Sequence, residues 1–182
     1  MGRFYERIEP AVQDWIAKQH LFFVATAPLA ADGHVNLSPK GYDTFRIVGP
    51  NRVAYQDLTG SGVETIAHAQ ENGRITLMWC AFEGPPRIVR VFGTATVRAA
   101  DDSSLAGLFP ESPGRRAIID ITVDKVGDSC GYSVPFMSYA GERARLEEWA
   151  VAKSPDELHE YHVLKNSASI DGLAGIASVP AS

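Results

Sequence analysis

A short loop of small residues, Thr59-Gly60-Ser61-Gly62, is the stretch of the sequence best suited to chemistry. It follows a strand-like run over residues 52–55 and precedes a helix-like pattern that begins at Val63. Because glycine has no Cβ, the N–H groups and hydroxyls of such a loop can approach an anion closely. A helix N-terminus also favours phosphate through its partial positive charge. From the loop alone, however, an ordinary strand-to-helix turn is the simpler interpretation, with Ser61 as N-cap and Glu64 completing a capping box.

The composition of the chain excludes several classes of function. The formal net charge is −5 and no block of Lys and Arg is present, so we expect no nucleic-acid partner. No apolar run approaches the roughly 18 residues that span a membrane, and the N-terminus has no apolar signal core. We therefore expect a cytoplasmic protein without membrane contact. The length of 182 residues is typical of one domain.

Six or seven strand-like runs follow one another, most of them joined by short turns that contain Gly, Pro, Asn or Asp. These runs cover residues 21–26, 35–38, 44–48, 52–57, 74–80, 87–98 and 117–123. Helical patterns cover residues 10–20, 63–72 and 141–166, the last with Ser154 as a cap ahead of Pro155. Consecutive strands with short turns predict a mainly β protein with flanking helices (α+β), built as an antiparallel barrel rather than a parallel βαβ sheet.

The order of several short motifs is similar to a known family. The motifs are Phe-Val-Ala-Thr at the end of a strand, an Asp-Gly turn, Asn-Leu-Ser-Pro-Lys-Gly, and Tyr-Gln-Asp-Leu-Thr-Gly-Ser-Gly. Together they resemble the pyridoxamine 5′-phosphate oxidase-like, FMN-binding split-barrel family over roughly residues 19–98. Residues 124–141 and 165–173 resemble its Ser-Pro-Lys-Gly subgroup, most of whose members lack an assigned substrate.

The resemblance implies a six- to seven-stranded antiparallel split β-barrel that binds flavin mononucleotide (FMN) and serves as an oxidoreductase. We then expect one domain over residues 1–182, with a barrel core at about 19–126, a helical C-terminal extension at about 141–166 and an extended tail to 182. The resemblance also implies a homodimer with a flavin in each of two clefts at the subunit interface. A small-molecule substrate or electron donor would be the other partner.

Three segments line the cofactor in that family: the end of the second strand, the small-residue loop with its neighbouring strand end, and one side of a facing strand. Carried over to this chain, they are Ser38, Pro39, Lys40 and Gly41; Gln56, Asp57, Ser61, Gly62 and Thr65; and Ile88 and Arg90. No side chain stands out as a catalytic acid or base, which is compatible with a flavin that carries the electron chemistry itself.

Two departures separate the chain from the vitamin B6 oxidases of the family. There an Arg-Lys pair after the loop serine clamps the phosphate, whereas this chain has Gly62 and Val63. A phosphate placed without a cation in a partly dry cleft would be poorly bound, so either Lys40 and Arg90 supply the charge or the ligand is not FMN. The Arg- and His-bearing C-terminal segment of the oxidase is not apparent either. We therefore do not expect the B6 oxidase itself.

Other interpretations stay open at the level of sequence. The deazaflavin F420 is an alternative cofactor, and a flavin carrier or sensor without turnover is an alternative function. His159 and His162 lie three residues apart on a predicted helix, a spacing that could hold a metal. Because no third ligand accompanies them, we expect a solvated helix face and no metal site.

Overall fold

The computed structural model describes residues 2–176 of the chain. Within that range the strands are β1 Arg3–Tyr5, β2 Phe22–Thr26, β3 Asn36–Lys40, β4 Phe45–Gly49, β5 Arg52–Leu58, β6 Arg74–Cys80, β7 Ile88–Arg98 and β8 Arg115–Ser129. The helices are α1 Pro10–Ile16, α2 Glu64–Glu71, α3 Arg145–Val151 and α4 Pro155–Asn166, with a 3₁₀ turn at Ala106–Leu108.

All strands belong to one antiparallel sheet. Seven of them run in the order β3-β2-β6-β7-β8-β5-β4, and β1 pairs with the far end of β8. The sheet does not close, because β3 and β4 remain as its two edges. The predicted mainly β, antiparallel architecture with flanking helices is confirmed, and β1 is the strand that the sequence pattern missed.

Alternating side chains build the core inside this curved sheet. In β6, Ile75, Leu77 and Trp79 are buried while the residues between them are only partly covered, as expected for a half-buried strand. The ring of Phe22 lies 5.5 Å from that of Tyr55 and 5.6 Å from that of Trp79, centroid to centroid. These aromatic contacts join β2, β5 and β6 across the interior.

The last strand is much longer than the predicted run over residues 117–123. β8 extends to Ser129 because its second half pairs with the start of β7, after a register shift between Phe92 and Gly93. A Cβ at position 93 would overlap the carbonyl oxygen of Thr122, so this close approach of the strands requires glycine.

Helix boundaries differ from the predicted ones by a few residues. The first helix ends at Ile16 rather than near residue 20, because the next N–H groups form tighter, turn-like bonds such as Lys18 N–H to Trp15 O. Ser154 caps α4 as predicted, in a full capping box with Glu157. None of the helices between residues 2 and 176 is long and apolar enough to cross a membrane. The predicted extended tail beyond residue 176 lies outside the described residues.

Candidate functional site

A cleft of about 430 Å³ opens between the ends of β3 and β5 and the first turn of α2. Most of the predicted site residues line it: Ser38, Pro39, Lys40, Gly41, Gln56, Ser61, Gly62 and Thr65. Asp57 lies beneath its floor and is fully buried. Two segments separated by about 20 residues in sequence therefore come together, and their contact with a cofactor remains a prediction.

The carboxylate of Asp57 connects the elements that form the cleft. Its Oδ1 accepts a hydrogen bond from Lys40 Nζ at 2.9 Å, and its Oδ2 accepts one from Arg116 Nε at 2.7 Å. Burial raises the pKa of Asp57, but the charges of Lys40 and Arg116 and their hydrogen bonds outweigh burial, so the pKa lies below the ordinary value of 3.8. Asp57 is therefore an anion that ties β3 and β8 to β5.

Arg116 also fixes the backbone of the small-residue loop. Its Nη1 donates to the carbonyl oxygen of Gly62 at 2.8 Å and to Asn166 Oδ1 at 2.9 Å. Asn166 in turn donates from Nδ2 to the carbonyl oxygen of Gly60 at 3.0 Å. Since C=O and N–H of one trans peptide point in opposite directions, the N–H groups of Ser61 and Val63 point away from these partners. Neither N–H has a hydrogen-bond acceptor among residues 2–176.

Helix α4 supports the same loop through a second side chain, one turn before Asn166. The hydroxyl of Thr59 donates to the carbonyl oxygen of Gly114 at 2.8 Å, so the 2.8 Å contact with His162 requires a hydrogen on His162 Nε2. Burial, the charge of Arg116 and the nearby His159 lower the pKa of His162. The expectation that both histidines lie on a solvated face was wrong for His162, because α4 docks onto the loop.

The start of α2 is not capped in the way the sequence suggested. Its N-cap is Val63 and no side chain caps the helix, so the interpretation of Ser61 and Glu64 as a capping box was wrong. The carboxylate of Glu64 instead bends back over Gly62, where a Cβ would overlap Glu64 Oε2. The other oxygen, Oε1, accepts a bond of 3.4 Å from the N–H of Ile170.

A chain of hydrogen bonds holds the polar wall of the cleft. Asn36 Nδ2 donates to Thr65 Oγ1 at 2.9 Å and to Thr26 Oγ1 at 3.1 Å. Thr26 Oγ1 lies 3.0 Å from Nδ1 of the buried His68. Both amide hydrogens of Asn36 are thus used, which leaves its Oδ1 as an acceptor at the cleft.

Ile88 and Arg90 lie away from this cleft within the same chain. They are on β7, which lies three strands from β3 and two from β5 in the sheet, and neither of them lines the cleft. Both share the partly exposed side of β7, opposite the fully buried Val89 and Val91, as the alternation predicted. Arg90 Nη1 contacts Ser129 Oγ at 3.4 Å. That Ile88 and Arg90 touch a cofactor remains a prediction.

The charged groups of the cleft offset one another. Lys40 and Arg116 are cationic, whereas Asp57 and Glu64 are anionic, so the charged residues that line or underlie the cleft within residues 2–176 sum to zero. The rest of the lining consists mainly of small residues and of hydroxyl and amide side chains, with the apolar Leu58 and Leu146 among them. Such a lining suits a ligand with many hydroxyls and a polar ring edge better than a multiply charged anion.

Arg116 and Asn166 were missed by sequence reasoning. Arg116 has the alternation phase of Ile118, which packs outside the main core, and the pairing of β5 with β8 shifts register between Asp57 and Leu58. Alternation along β8 therefore does not predict the contact of Arg116 with Asp57. Asn166 offers no signal either, because its role depends on how α4 docks.

Comparison with known proteins establishes the family. Residues 8–130 match the family description "Pyridoxamine 5′-phosphate oxidase". The Pyridoxamine 5′-phosphate oxidase family protein ustO of Aspergillus flavus is 40% identical over 198 residues, which cover 98% of this chain and 79% of that protein. The chain therefore belongs to the pyridoxamine 5′-phosphate oxidase family.

Solved structures share the fold. HupZ from Group A Streptococcus matches with a TM-score of 0.51 and 24% identity, over 65% of this chain and 91% of that one. A Clostridium acetobutylicum protein related to general stress protein 26, of the pyridoxinephosphate oxidase family, matches with a TM-score of 0.52 and 12% identity, over 66% of this chain and 86% of that one. The unclosed antiparallel sheet is thus the split barrel of this family, as predicted.

The buried network gives a prediction for stability. Arg116→Met should lower the free energy of unfolding by about 3 kcal/mol, because it leaves the buried Asp57 with one cation instead of two. Arg52→Met is the matched control: the 46% exposed Arg52 side chain shares Asp120 with Arg98, and its loss should cost under about 1 kcal/mol. Denaturant unfolding followed by tryptophan fluorescence measures both. Equal losses in the two variants would contradict this account.

The same network predicts a pH dependence. Since the folded-state pKa of Asp57 is depressed, its contribution is present above the ordinary value of 3.8 and is lost as the pH falls through the folded value. Removing Arg116 removes one cause of the depression, so acid unfolding of Arg116→Met should begin at higher pH than that of the unsubstituted protein.

Proposed function

We propose that this chain binds FMN in the cleft described above and acts as a flavin-dependent oxidoreductase. The observation that carries the proposal is the meeting of Ser38–Gly41 with the Thr59–Gly62 loop over one buried carboxylate, in a protein of this family. When bound, FMN supplies reversible transfer of one or two electrons. The residues of the chain would supply binding, orientation and control of access.

The lining residues fit most parts of a flavin. Hydroxyls of Ser38, Ser61 and Thr65 and the amide of Asn36 can bond a ribityl chain or a polar ring edge. The loop N–H groups of Ser61 and Val63 are donors for the phosphate end. Lys40, whose side chain is 20% exposed, is the cation nearest to solvent, although Asp57 already engages it. The fit is therefore good for the neutral parts of FMN and weaker for its phosphate.

The test is the identity and affinity of the bound ligand. Protein purified with its ligand and then denatured should release a yellow compound with the mass of FMN, and the ligand-free protein should bind FMN in a fluorescence titration. Steady oxidation of NADH or NADPH with an acceptor would support an enzyme over a carrier or sensor. Release of F420, or failure of the ligand-free protein to bind FMN, would contradict the proposal.

We propose further that the active form is a homodimer. Ile88 and Arg90 do not line the cleft of their own chain, so the cofactor contact that the family resemblance implies for them would be made in the cleft of a second copy. Several large apolar side chains are also exposed in one copy, at or just before the start of β3 and on the segment that follows β8: Val35 74%, Leu37 63%, Tyr132 83% and Phe136 84%. Large apolar side chains exposed in one copy are compatible with an interface, because apolar patches on a surface commonly mark one.

Mixing two variants with weakened FMN binding tests whether each cleft uses residues from both copies. Lys40→Met and Arg90→Met should each weaken FMN binding roughly tenfold or more, since each removes a charged hydrogen-bond donor. If one copy supplies Lys40 and the other Arg90, a mixed dimer has one unaltered cleft. Refolding the two variants together should restore tight binding in about one quarter of the clefts. A mass near 19.7 kDa by light scattering, that of one chain, or no restoration on mixing, would contradict the shared site.

A further inference from the structure

The carboxylate of Glu64 lies against the small-residue loop, and Glu64 is one of the residues that line the cleft. It lies against Gly62, a position without a side chain of its own, and the N–H of Ile170 holds its Oε1 at 3.4 Å. The next residue, Asp171, bonds the backbone N–H of His34 at 2.8 Å and its ring Nδ1 at 2.7 Å. The segment after α4 is thus fastened to the β2–β3 connection, and it keeps Glu64 over the loop.

This placement puts a negative charge beside the donors that an incoming anion would use. The two cations of the cleft, Lys40 and Arg116, both contact Asp57, at 2.9 Å and 2.7 Å, and within residues 2–176 neither forms an ion pair with Glu64. A phosphate monoester carries about −1.5 to −2 charges near neutral pH, so it and Glu64 repel each other at short range. A neutral ligand end experiences no such repulsion.

We infer that Glu64 is a specificity-determining residue that weakens the binding of a phosphate monoester relative to a phosphate-free flavin. The inference rests on the proposed flavin function and deepens it: this cleft binds the ring and the hydroxyl chain of a flavin more favourably than its phosphate. Glu64 also lies in the first turn of α2, where a carboxylate favours the helix. Removing its charge should therefore lower the stability of α2 slightly and raise the affinity for the phosphate. A loss of stability alone would not raise that affinity.

The experiment measures FMN and riboflavin affinities of the full chain by fluorescence titration. Glu64→Gln keeps the acceptor for Ile170 N–H and removes the charge. It should bind FMN about fivefold more tightly while its riboflavin affinity changes less than about twofold. The gain should shrink as salt is raised from low to molar concentrations, because salt screens partly exposed charges. Glu71→Gln, at the other end of α2, is the matched control and should leave both affinities unchanged.

Glu64→Ala serves as a second variant and should change the FMN affinity in the same direction. General damage to the fold cannot mimic a gain in FMN affinity. Unchanged or weaker FMN binding by both variants, with riboflavin binding retained, would overturn the role of Glu64 and leave the flavin proposal standing. Absence of binding of both flavins to the unsubstituted protein would overturn both.

Discussion

The buried carboxylate of Asp57 is the interaction on which the site depends. An isolated carboxylate would not remain ionised in the sheet interior, and two cations make its burial tolerable. Those cations come from β3 and β8, so satisfying one charge also fixes the end of β3 beside the small-residue loop. Arg116 then extends the constraint, because the guanidinium that neutralises Asp57 also binds the carbonyl oxygen of Gly62.

Helix α4 supports the small-residue loop of the candidate site. His162 and Asn166 are four residues apart on α4 and therefore share one face, which contacts Thr59 and Gly60. Through these contacts the loop keeps its carbonyl oxygens turned towards the protein and its N–H groups turned away. A loop of four small residues would otherwise have a large conformational entropy, and it is held here by polar contacts from two directions.

Alternation and turn chemistry predicted the strands and the antiparallel sheet, because both depend on near neighbours in the sequence. The predicted runs over 74–80 and 87–98 agree with β6 and β7 to within one residue. The lining by Ser38–Gly41 and the loop came from motif order. Arg116 and Asn166 escaped because their roles arise from contacts about 50 residues apart in sequence, from 116 to 166. The placement of Glu64 was not predicted, because Ser61 followed by Glu64 three residues later is also typical of a capping box.

The contrast between predicted and observed charge at the loop has a chemical consequence. The sequence suggested that a missing cationic clamp would be replaced within the cleft, by Lys40 and Arg90. In one copy Lys40 is engaged by Asp57, and Arg90 on β7 does not line the cleft. The charged residues of the cleft in one copy therefore sum to zero, and under the proposed homodimer Arg90 of a second copy would supply a further cation.

Hydrogen–deuterium exchange of the intact protein with and without FMN tests most directly whether FMN binds in the cleft above Asp57. We expect slower exchange on FMN addition in peptides that cover residues 36–42 and 59–65, the two segments that Asp57 brings together. Unchanged exchange in both segments, or protection confined to another surface such as residues 131–144, would contradict it.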